Sequence, residues 1–101
     1  DEPAFTNSWV NFDAAHEGAL FYKDLSGVVH IEGLIKDGTL NTSGFTLPVG
    51  YRPRAALPFD CLSNNAIGRT NVNADGTVVI AQDSIGSALW FSLNGISFRA
   101  A

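Results

Sequence analysis

The sequence predicts a single all-β domain, a compact antiparallel β-sandwich or jelly roll of roughly seven to nine short strands. Three observations carry this. Gly, Asn, Asp, Pro and Ser recur every few residues. The stretches between them alternate apolar and polar side chains, as half-buried strands do. Only Asn11 to Leu20 has room for a helical turn, and Gly18 weakens it.

Residues 1–18 read as a lead-in or neck segment with Trp9 and Phe12 as anchors, followed by the head domain at 19–101. Ala19 to Lys23 and Val28 to Lys36 are expected as two strands joined by the tight turn Asp24-Leu25-Ser26-Gly27. That turn is read as placing Tyr22 opposite Val29, Leu20 opposite Ile31 and Phe21 opposite His30. Gly33, in the middle of the long second strand, marks a bulge or bend. Asp37-Gly38 and Asn41 to Gly44 are turn signals, and Phe45-Thr46-Leu47 is a short strand stopped by Pro48. Gly50 and Pro53 stiffen the loop from Pro48 to Arg54. Leu57 to Ser63 is a strand confined to a sheet edge at its start by Pro58, and Asn64-Asn65 turns the chain. Ile67 to Asn73 and Thr77 to Gln82 form a hairpin around Ala74-Asp75-Gly76, with Gly76 left-handed.

Asn94-Gly95 between alternating apolar residues predicts a closing two-residue hairpin. It pairs Leu93 with Ile96, Phe91 with Phe98 and Trp90 with Arg99. Leu89, Phe91, Leu93, Ile96 and Phe98 then share the core face, and Trp90, Ser92, Ser97 and Arg99 the mixed opposite face.

Composition narrows the function. The net charge is −4 and the six cationic residues are scattered along the sequence without a basic run, which disfavours nucleic-acid binding. No apolar stretch approaches the roughly 20 residues of a membrane span, so membrane insertion is not expected. Cys61 is the only cysteine, which excludes an internal disulfide and a cysteine-rich zinc site. Charged residues are 16% of the chain, against about 25% in ordinary domains. With so small a core, the apolar excess points to burial against other subunits or to a sandwich with a Ser/Thr/Asn surface. The absence of methionine reads as a chain cut from a longer protein.

The run Phe45-Thr46-Leu47-Pro48-Val49-Gly50-Tyr51-Arg52-Pro53 is the least generic part of the sequence. It follows the Gly27 to Gly33 strand, and precedes the Asp75-Gly76-Thr77-Val78 turn and the closing Trp90 to Phe98 run. In this order the chain resembles the C-terminal head domains of bacteriophage tail fibres, receptor-binding proteins and minor tail proteins, over Leu20 to Arg99. The resemblance implies a homotrimeric β-sandwich at a fibre tip in the virion, outside the cell, that attaches to a bacterial surface saccharide or other receptor. It carries over no binding residue, because the matching motifs are turns, prolines and core aromatics.

Each candidate site has a plain structural alternative. His16-Glu17 and His30-x-Glu32 invite a metal or acid–base reading, with His30 and Glu32 on one strand face about 7 Å apart, but a surface histidine beside a carboxylate suffices. Asp60, Asp75 and Asp83 are available as a glycosidase pair, yet Asp75 already serves a turn. Gly-x-Ser-x-Gly and phosphate-binding glycine loops are absent, and Cys61 reads as a small buried hydrophobe. No catalytic residue, cofactor or metal is expected. The candidate ligand-binding residues are Trp90, Arg99, Arg54, Asn64 and Asn65. Trp90 suits stacking on a sugar, packing under Arg99, or a subunit contact. Tyr51, Arg52 and Arg54 suit loop packing. Two other readings stay open: a purely structural trimerisation cap, and a monomeric carbohydrate-binding module of a secreted glycan-active enzyme.

Overall fold

The computed structural model describes residues 1–63, 66–81 and 90–101. The expected Asn64-Asn65 turn, Gln82, Asp83 and Leu89 lie outside the described residues. The fold is all-β, with antiparallel sheets and, among the described residues, no helix.

Ten strands are described: β1 (Val10–Asn11), β2 (Leu20–Lys23), β3 (Val28–Glu32), β4 (Leu34–Lys36), β5 (Thr42–Thr46), β6 (Leu57–Ser63), β7 (Ala66–Val72), β8 (Thr77–Ala81), β9 (Phe91–Ser92) and β10 (Ile96–Arg99). They form three sheets in the orders β1-β4-β9, β10-β3-β2 and β5-β8-β7-β6. Pro58 lies on β6, an edge of the four-stranded sheet, where its missing N–H costs no ladder bond. Phe21, Val29, Ile31, Ile35, Phe45, Leu47, Val78, Ile80, Phe91 and Leu93 form the buried core between the sheets. Each fully buried side chain of this size contributes about 1.5–3 kcal/mol.

Residues 1–18 pack onto this same body. Trp9 is 1% exposed, β1 pairs with β4, and the Thr6 N–H donates to the Gly44 carbonyl at 2.8 Å, covering the edge of β5. The indole lies on Gly38, where a β-carbon would overlap the ring.

The β2–β3 hairpin differs from the expected register by one residue. Phe21 faces Ile31, Tyr22 faces His30 and Leu20 faces Glu32. The cause is the turn. The Asp24 N–H donates to Val28 O at 2.9 Å, so Asp24 is the last paired residue and the loop is Leu25-Ser26-Gly27. Gly27 takes the left-handed φ of 84° that such a loop needs. The Asp24 carboxylate fixes the turn by accepting from the Ser26 and Val28 amides at 2.9 and 3.0 Å. One residue of slip exchanges the faces of a strand, and this register puts Phe21 and Ile31 inside together.

The segment Asn41 to Gly44, expected as a turn, is largely strand. β5 starts at Thr42 and carries a bulge between Ser43 and Phe45, so Gly44 is the extra residue in the ladder. A side chain there would press on Ile80.

The closing hairpin is absent. β9 pairs with β4 (Leu34 with Ser92, Ile35 with Phe91), and β10 pairs with β3 (Ile96 with Ile31, Arg99 with Val28). Residues 91–99 therefore run antiparallel to 28–36 throughout, with one extra residue between the two ladders. Gly33 bends one segment at φ 115° and Asn94-Gly95 bends the other. The two are tied by Gly33 N–H to Asn94 Oδ1 and Leu93 N–H to Gly33 O, both 2.8 Å. The pair of segments passes from one sheet to the next as a corner, as in sandwiches whose strands switch sheets at bulges. The expected burial survives, because the extra residue resets the alternation: Phe91, Leu93, Ile96 and Phe98 are all buried.

Candidate functional site

The corrected register assembles an exposed polar and aromatic surface on the outer face of the β10-β3-β2 sheet. Phe21, Val29, Ile31, Ile96 and Phe98 turn inward, so period-2 alternation sends Tyr22, His30, Ser97 and Arg99 outward. Tyr22, His30 and Ser97 form one cross-strand row. Tyr22 is 43% exposed.

The Tyr22 and His30 rings are near-parallel, 17° apart, with centroids at 4.9 Å. Rings this close cannot lie side by side in one plane, so they face each other. One face of the imidazole meets the phenol. On its other side the neighbouring strand offers only the small, exposed Ser97. The result is an open face that carries one stacked aromatic pair beside a serine.

Charged groups frame it. His30 Nε2 lies 3.0 Å from Asp24 Oδ2. This hydrogen bond first, and the Val28 amide second, hold the Asp24 carboxyl below the ordinary carboxylate value. Asp24 is thus a turn-forming anion that orients the imidazole. Arg99 Nη1 donates to the Ser26 carbonyl at 3.2 Å, which pins the guanidinium beside the same loop. Lys23 Nζ donates to Gly50 O at 2.9 Å and lies 5.0 Å from the centre of the Tyr51 ring. Tyr51 in turn meets Phe21 edge-on at 5.5 Å.

The sequence-predicted candidates separate. Arg99 belongs to the face just described. Arg54 is exposed in the loop that enters β6. Trp90 is half-buried and precedes Phe91, which faces Ile35, whereas Arg99 faces Val28. The expected Trp90–Arg99 stack is therefore corrected: the two lie at opposite ends of the corner segment, because the hairpin that would join them does not form. Asn64 and Asn65 lie outside the described residues. Tyr22 and His30 are the pair that sequence reading missed. Asp24, three residues before a glycine, was the available signal, since its carboxylate and Gly27 together select the longer hairpin.

The remaining candidates are spoken for locally. His16 Nδ1 is 2.7 Å from Asp13 Oδ1, and no group of three metal-ligating side chains occurs among the described residues. Asp75 accepts from the Thr77 amide and hydroxyl at 3.0 and 2.7 Å. The hydroxyl bond, then the amide bond, lower its pKa. Cys61 is buried, donates to Thr70 Oγ1 at 3.3 Å, and has its thiol pKa raised by burial. No pocket opens among the described residues. No family model, no curated protein and no solved structure matches this chain.

Proposed function

We propose that this domain is a non-catalytic binding head of a phage tail fibre or receptor-binding protein, attaching to a bacterial surface saccharide through the outer face of its β10-β3-β2 sheet. The observation that carries the binding half is the exposed Tyr22–His30 stack beside Ser97 and Arg99. Aromatic faces bind the apolar faces of sugar rings, and hydroxyl, imidazole and guanidinium groups bind the sugar hydroxyls. The setting at a fibre tip rests on the resemblance of Leu20 to Arg99 to such heads. An open face gives weak single contacts, which a homotrimer on a many-fibred particle converts into avidity.

One observation favours the assembly half. Leu62 and Ile67 are 54% and 64% exposed and stand opposite each other on β6 and β7. A directly paired exposed aliphatic couple on a sheet face supports a contact with another subunit. The test is binding of the domain to purified walls of the host bacterium, alongside Tyr22→Ala. Binding that falls about tenfold or more in the variant supports the reading. Wild-type protein that ignores its host's wall overturns it.

A further inference from the structure

The six lysine and arginine residues are scattered in sequence, yet the fold gathers most of them at one end. Lys23 is tied to Gly50 and Arg99 to Ser26. The Arg52 Nε–H donates to Leu47 O at 2.8 Å, and Arg52 O accepts from Ala101 N–H at 2.9 Å. The Leu47 amide donates to Gly76 O at 2.8 Å, bringing in the loop that holds Asp75. Arg54 lies two residues beyond Arg52, ahead of Leu57, whose partner Val72 closes this same end. Loops 24–27, 48–56 and 73–77 and residues 99–101 thus form one cluster.

Side-chain charge is strongly uneven as a result. Lys23, Arg52, Arg54 and Arg99 stand there against Asp24 and Asp75, giving +2, while the other two cations and seven carboxylates among the described residues give −5. Lys23, Arg52 and Arg99 are held by backbone carbonyls. None of the four cations has a carboxylate within ion-pair distance among the described residues. Their charge is therefore positioned, and only Arg52 is partly offset, by its attraction to the Asp75 carboxylate. Asp24 is already engaged by His30 and two amides, and Asp75 by Thr77. The Tyr22–His30 stack adjoins this end, since His30 reaches Asp24 and Arg99, on the same sheet face, is tied to Ser26, whereas Lys23 points to the opposite face of β2, beside Tyr51.

We infer that the saccharide bound here is acidic: a polymer whose sugar rings stack at Tyr22 and His30 while its carboxylate or phosphate groups lie along Arg99, Arg52 and Arg54 at the adjoining loop end. This rests on the saccharide-binding reading above and names the class of ligand. In a protein of net charge −4, this uneven charge also orients the domain as a polyanion approaches. A neutral glycan gains hydrogen bonds from these arginines but nothing from their charge.

The experiment compares binding to polygalacturonate, dextran sulfate and neutral dextran at low and high salt, with Tyr22→Ala and the double variant Arg54→Gln/Arg99→Gln. The expected result is binding to polygalacturonate that falls about tenfold between low and high salt. It is weakened about three- to tenfold by the arginine substitutions, and is weakened also by Tyr22→Ala. Equal, salt-insensitive binding to dextran overturns the acidic class and leaves the saccharide reading standing. Binding to both polyanions that Tyr22→Ala leaves untouched is ion exchange and overturns the inference. Binding instead to anionic phospholipid vesicles, abolished by Leu25→Ser and Val49→Ser at the exposed loop tips, overturns it in favour of a lipid surface. Failure to bind any polymer, host wall included, overturns both readings together.

Discussion

At the scale of single residues, the fold depends on a few positions where space or charge is tightly set. Gly38 carries the Trp9 indole, and any β-carbon there would occupy the ring's volume. Gly38→Ala is expected to cost about 2–4 kcal/mol, by overpacking and by expelling a side chain that is otherwise 1% exposed; the denaturant midpoint measures it. Asp24 makes a pH prediction. Its carboxyl is held below the ordinary value in the folded state. Its stabilisation is therefore fully present above the unfolded value of about 3.9 and is lost as pH falls through the lower folded value. Asp24→Asn keeps the turn acceptor and removes the charge. The stability difference between wild type and variant should shrink as pH drops from about 5 to about 2. A difference that stays constant over that range would show that the carboxylate charge contributes nothing. Cys61 supplies a third prediction. Burial raises its pKa and shields it, so thiol reagents should label it only at the rate at which the protein opens, and a denaturant series of labelling rates checks this.

Among the elements, most strands were legible from alternation and turn residues, because burial on one face imposes a period of two. β6 matches its expected bounds, and the β7–β8 turn at Ala74-Asp75-Gly76 closes as read, with Gly76 at φ 92°. What sequence did not reveal was pairing. Asn94-Gly95 is a strong hairpin signal, but Gly33 across from it offered an amide for the Asn94 side chain and a carbonyl for Leu93. A non-local partner thereby turned a reversal into a corner. The first hairpin slipped by one residue because the Asp24 carboxylate fixes a longer turn. These two errors hid the candidate site. The first placed Tyr22 opposite a core valine instead of His30, and the second promised a Trp90–Arg99 stack that the topology forbids. The corner itself is testable. Asn94→Ala removes the acceptor of the Gly33 amide and should lower stability by about 1–2 kcal/mol. Hydrogen exchange at Gly33 should accelerate more than at the Val29 and Ile31 amides of β3, and uniform acceleration would place the bond outside the corner's stability.

On the scale of the whole molecule, the fold converts a sequence with scattered cations into an unevenly charged object, net positive at one loop end and net negative over the other described residues. The same end borders the aromatic stack through Asp24 and Arg99, so the proposed recognition by stacking and by charge would involve adjoining surfaces, distinct from the exposed Leu62 and Ile67 of the four-stranded sheet. None of this polarity is visible in composition, since it arises from which loops meet.

The most direct measurement is a chemical-shift titration of the labelled domain with soluble fragments of the host wall. Ligand-induced shifts confined to Tyr22, His30, Ser97, Arg99 and the adjoining loops are the expected result. Shifts centred on β6 and β7, or no shifts at saturating fragment, would contradict the assignment of binding to the β10-β3-β2 face.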